Sequence, residues 1–154
     1  MNIKVACIVL LAIGVPAKED RSEDDSKKVL QNLQGEWQMV RADFGKEAPP
    51  PDAKIGQTRL VIEGNKLIIR MAAAGPKEET ATFTTDLTKK PYAIDIQPQV
   101  PGGGPKNTSV KGIFQVSAET LQLSLGRPGG ERPADFTGGD VTRSTLVFQR
   151  VRSK

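Results

Sequence analysis

The chain has 154 residues, with 22 basic and 18 acidic side chains, a net charge of +4, no histidine and one cysteine. The absence of histidine excludes imidazole acid–base catalysis and, with a lone thiol at Cys7, the common zinc sites and any internal disulfide. Charges are interspersed and aromatics make up only 5% of residues, which excludes the basic, aromatic-laced stripe of a nucleic-acid binder.

Residues 1–17 read as a signal peptide. Lys4 supplies a minimal basic start, 5–15 is an uncharged apolar run, and Val15-Pro16-Ala17 puts small residues at a cleavage site. The run is too short to cross a bilayer, which takes ~20 residues. Cleavage would export the protein to a periplasm or beyond the cell and would remove Cys7, leaving carboxylates, hydroxyls, Lys, Arg and Tyr92 as the only chemical groups. Residues 18–25 are densely charged and are expected to form a flexible tether. The remainder, 26–154, is the size of one domain. Asp25-Ser26 can cap a short helix with Val29, Leu30 and Leu33 on one face, and Gly35 stops it.

Eight strand patterns follow. The first, 36–42, carries Trp37 and Met39 on one face, with Arg41 continuing their phase. The second, 58–63, has Leu60 and Ile62, and the third, 66–71, has Leu67, Ile69 and Met71. The fourth, 80–85, sets Phe83 among threonines and is the weakest of the set. In the fifth, 92–97, Tyr92, Ile94 and Ile96 alternate with polar or small residues. The sixth, 110–117, has Val110, Phe114 and Val116 in phase; the seventh, 120–125, has Leu121, Leu123 and Leu125; the eighth, 144–151, has Leu146 and Phe148. This is period-two alternation bounded by turn residues.

The connections alternate in length. Those at 43–57, 72–79, 98–109 and 126–143 are long, whereas Gly64-Asn65, 87–91 and Ala118-Glu119 are tight. In an up-and-down meander, every second connection lies at the same end, so all the long ones gather at one rim. Eight sequential antiparallel strands can close and abolish both sheet edges. The expected fold is therefore all-β, an eight-stranded up-and-down antiparallel barrel with a short N-terminal helix, apolar inside and wet outside.

Gly35-Glu36-Trp37, placed after a short helix at the start of the first strand, resembles the Gly-x-Trp signature of lipocalins. Further stretches resemble a group of exported lipocalin-like domains of planctomycete-type bacteria with no assigned activity. They are Leu33-Gln34, Arg59-Leu60-Val61-Ile62-Glu63-Gly64, Lys89-Lys90-Pro91, Ala93-Ile94-Asp95-Ile96, Gly112-Ile113-Phe114 and Pro128-Gly129-Gly130-Glu131-Arg132-Pro133. The sixth-to-seventh turn departs from that group, with Ala118-Glu119 in place of Gly-Asp. The resemblance implies that Trp37 plugs the closed end of the barrel with an arginine of the last strand across its ring. Arg150 is the first match for that arginine and Arg152 the second.

The expected function is non-catalytic binding of a small, largely apolar molecule, without cofactor or metal. Its lining would be Met39, Leu60, Ile62, Ile69, Phe83, Tyr92, Ile94, Phe114, Leu123 and Phe148, with Arg41 or Tyr92 orienting a polar end. The alternative is a protein-interaction or inhibitor module that presents loops 43–57, 98–109 and 126–143 above a filled core. Glu131, Arg132, Asp135 and Asp140 would then edge the mouth. Asp95 should face outward, paired with a lysine of a neighbouring strand. Gly102-Gly103-Gly104 lacks the Lys-Ser/Thr ending of a phosphate loop, and Asn107-Thr108-Ser109 has glycosylation spacing. Interior volume separates the two readings: a cavity of several hundred Å³ favours a ligand and a packed interior favours a partner.

Overall fold

The computed structural model describes residues 20–45, 54–73, 75–99, 108–138 and 142–152. The expected leader, 1–17, lies outside them, as do Gly102-Gly103-Gly104, Asn107 and Asp140.

Helix α1 spans Asp20–Leu33. It begins five residues before the expected cap, so most of the charged stretch read as a tether is helical. The physical reason lies in the placement of charge. Glu23, Asp24 and Asp25 crowd the N-terminal half, where the helix dipole favours anions, and Lys27 and Lys28 follow at i+4 from Glu23 and Asp24. Only Val29 and Leu33 turn toward the core; Leu30, expected on the same face, is 39% exposed. Gly35, at φ 111°, ends the helix in a conformation that side chains other than glycine rarely adopt.

Eight strands follow in order: β1 Gly35–Asp43, β2 Thr58–Glu63, β3 Lys66–Ala73, β4 Gly75–Asp86, β5 Tyr92–Gln99, β6 Val110–Val116, β7 Thr120–Gly126 and β8 Arg143–Arg150. Each pairs antiparallel with its sequence neighbours, and β8 pairs with β1 to close the barrel. The turns at 64–65, 87–91 and 117–119 sit at one end, and the connections 44–57, 100–109 and 127–142 leave from the other.

The expected long connection at 72–79 is instead strand. β3 and β4 continue their ladder to Ala73↔Gly75, so that a single residue joins them. The added rungs carry charged side chains rather than apolar alternation. Arg70 opposes Glu78 and bonds it at 3.1 Å, and Lys77 meets Glu79 at 2.9 Å. β4, the weakest pattern in the sequence, becomes the longest strand of the barrel at 12 residues.

Two departures affect which side chains face inward. In β1 the register to β8 runs Met39↔Phe148 and then Arg41↔Val147, so Val40 forms a bulge. An extra residue inverts the phase that follows. Arg41 is therefore exposed on the outer wall, and Ala42, opposite Leu146, turns in. The outer face is also not uniformly wet. Ile113, Ser124 and Thr145 form one outward row by register, yet they are 3%, 0% and 6% exposed. The segment 127–138 doubles back onto this side of the barrel. Its Glu131 carbonyl lies so close to Gly126 that no side chain would fit there, and its Pro133 is buried. On the other side, Val61 and Ile68 are a second outward-phase pair that is nevertheless buried.

Candidate functional site

The barrel interior is divided across its depth. At the closed end, β1 and β8 place Trp37 directly opposite Arg150 on the inner face. The indole is fully buried and its Nε1 donates to the Leu33 carbonyl at 3.0 Å. The Arg150 guanidinium stands 4.1 Å from the ring centroid. Its Nη1 donates to the Gln34 carbonyl at 2.7 Å, its Nη2 to Asn32 and its Nε to Ala118. The last carbonyls of a helix lack partners within it. Here Trp37 and Arg150 supply those partners, and the cation sits at the negative end of the helix dipole. Gly35 belongs to the same clamp, since a Cβ at that position would lie 2.9 Å from Arg150 Nη1. Arg152 takes no part; it pairs with Glu119 at 3.0 Å on the surface.

Above the clamp the lower half is filled. Ile62, Phe83, Ile94 and Phe114, expected to line a ligand site, point inward but lie in this packed layer with Leu121. Tyr92 lies at its edge, its ring 5.5 Å from that of Phe114 at 42°, with Lys90 Nζ 5.9 Å from the tyrosine centroid. Fully burying one such side chain stabilises the fold by ~1.5–3 kcal/mol. This layer is the floor of the cup.

The upper half is open, with a cavity of about 700 Å³ between the floor and the rim. Of the expected lining, Met39, Leu60, Ile69, Leu123 and Phe148 face it. Arg41 does not, because of the bulge. The rest of the wall comes from Leu67, Ala81, Ile96, Val110, Leu125 and Leu146. Most of these were visible as in-phase apolar residues, but nothing in a period-two pattern tells how far along the axis each one sits. Towards the rim the cavity becomes polar, at Thr58, Lys77, Glu78, Glu79, Thr80 and Gln99. Thr58 is 3% exposed and its hydroxyl donates to the Lys54 carbonyl at 3.1 Å, which fastens the 54–57 turn to the rim. Lys77 and Glu79 lay in a stretch expected to be loop, so sequence reasoning missed them.

Of the charges expected at a recognition edge, Arg132 serves the wall. Arg132 reaches over the outer surface of β5 and β6, donating from Nη1 to the carbonyls of Gly112 at 2.7 Å and Ile94 at 3.1 Å. Its Nη2 meets Asp95 Oδ1 at 2.7 Å, so the ion pair of Asp95 is made with this loop arginine and not with its strand neighbour Lys111. Glu131 is exposed. Asp135 accepts from the Thr137 hydroxyl and, at 3.0 Å, from its amide, and these bonds hold its carboxyl below the usual aspartate range, with Arg143 at 3.1 Å adding to the effect. Asp86 is lowered in the same way by the hydroxyl and amide of Thr88. Both are loop-stabilising contacts on exposed carboxylates. Among the described residues, no group of three or more acidic, His or Cys side chains converges as a metal site would require.

The chain matches no protein-family model, no curated protein and no solved structure.

Proposed function

We propose that this is an exported, lipocalin-like binding protein that takes one small, largely apolar molecule into the mouth half of its barrel and performs no chemistry on it. The observation that carries the proposal is the partition of the interior. A cavity of about 700 Å³ with apolar walls stands above a fully packed floor, within the ~300–1,000 Å³ range of small-molecule sites. A cup with so well packed a base has no structural need for the open space above it. Affinity would come from apolar burial at ~25 cal/mol per Å². The rival reading, a partner-binding module, called for a filled interior, and the cavity counts against it.

Replacing Phe114 by Asp would be a poor test, because that ring belongs to the floor and its loss would unfold the base. A better variant fills the cavity from its wall. Titration with the neutral fluorophore N-phenyl-1-naphthylamine should give saturable uptake at one site, and Leu146→Trp should abolish it while leaving the far-UV circular dichroism unchanged. Equal uptake by a folded Leu146→Trp protein would overturn the proposal.

A further inference from the structure

The charged part of the cavity lining lies on one strand. Lys77 and Glu79 are two residues apart on β4, opposite Met71 and Ile69, and so share the inward phase of Ala81 and Phe83. They bond to each other at 2.9 Å, and their side chains are 54% and 53% exposed. The intervening Glu78 also borders the cavity, but it has the opposite phase and is engaged by Arg70 at 3.1 Å. The rim therefore presents its charges in compensated pairs, Lys77 with Glu79 and Glu78 with Arg70, at the edge of an apolar chamber. From Lys77 down to Ala81 the strand advances ~13 Å, enough to separate a polar head from an apolar tail.

We propose that the Lys77–Glu79 pair sets the head-group preference of the site. Among amphipathic molecules, the site takes those with an uncharged hydrogen-bonding head, a primary alcohol or amide, in preference to a carboxylate or an amine on the same chain. This rests on the cavity holding the apolar part. A hydroxyl or amide can accept from Lys77 and donate to Glu79 while the pair stays intact. A carboxylate reaches Lys77 only by drawing it from Glu79, which brings two anions together at the mouth. An ammonium does the reverse to Lys77. Like charges brought this close oppose binding, by the modest amount expected of half-exposed side chains.

The test is competition of decanol, decanoate and decylammonium against N-phenyl-1-naphthylamine, in the wild-type protein and in Glu79→Gln and Lys77→Gln. Both side chains are half exposed, so the variants should keep the wild-type thermal midpoint. Glu79→Gln should tighten decanoate by roughly fivefold relative to decanol, the scale of one surface charge contact. Lys77→Gln should do the same for decylammonium. That crossed pattern supports the proposal. Equal shifts for all three competitors, or none, overturn it and leave the cavity reading standing. Absence of fluorophore uptake by the wild-type protein overturns both.

Discussion

Replacing Arg150 by Met removes the clamp while keeping the stem that covers Trp37. Three guanidinium hydrogen bonds to the carbonyls of Asn32, Gln34 and Ala118 are lost, together with the contact over the indole at 4.1 Å. A hydrogen bond from a charged donor is worth ~1.5–3 kcal/mol and the ring contact ~0.5–2 kcal/mol. These contributions overlap, and water can replace the partner at the exposed Ala118 carbonyl, so the expected net loss is ~3 kcal/mol. With a urea slope of ~1–3 kcal/mol per molar, the midpoint should fall by ~1–3 M. Trp37 is the sole tryptophan, so its emission reports the transition at the clamp itself. Arg152→Met serves as the control. Its ion pair with Glu119 involves side chains 78% and 59% exposed and should cost ~0–1 kcal/mol. A loss in Arg150→Met no greater than in Arg152→Met would refute the idea that helix, first strand and last strand are locked at one point. Uptake of an apolar fluorophore should persist in folded Arg150→Met, because the cavity begins above the floor.

Two further outcomes are expected. Gly35→Ala forces a side chain into a φ of 111° and into contact with Arg150 Nη1, so chemical denaturation should show a loss of ~1–3 kcal/mol; a variant as stable as the parent would show that the clamp can shift. Asp135 has a lowered carboxyl pKa in the folded protein, so its contacts with Thr137 and Arg143 are stabilising at pH above the ordinary aspartate value and are lost only as pH falls through the lowered one. The Thr137 amide resonance should therefore titrate below the usual aspartate range, and Thr137→Val should move that midpoint upward; an unchanged midpoint would mean that the hydroxyl does not cause the shift.

Much of this was open to reading from the chain alone. Strict alternation in β5 and β7 requires one apolar face, and eight strand segments joined alternately by tight turns and longer connections leave few arrangements other than closure. Trp37, placed after a helix and a glycine, and Arg150, in phase with Phe148 at the far end of the chain, could be matched across more than a hundred residues because both lie at fixed points of that meander. Three things came only from tertiary structure, each for its own reason. Period two distinguishes inside from outside but is silent about depth, so Ile62, Ile94 and Phe114 could not be separated from Leu60, Ile69 and Leu123; their assignment to floor or chamber depends on the stagger of neighbouring strands. The bulge at Val40 comes from register against β8, and it alone moved Arg41 from wall lining to solvent. Residues 75–79 pair with 69–73 in a ladder that sets Arg70 opposite Glu78, an arrangement invisible until β3 and β4 are side by side, and that ladder is what brings Lys77 and Glu79 to the rim.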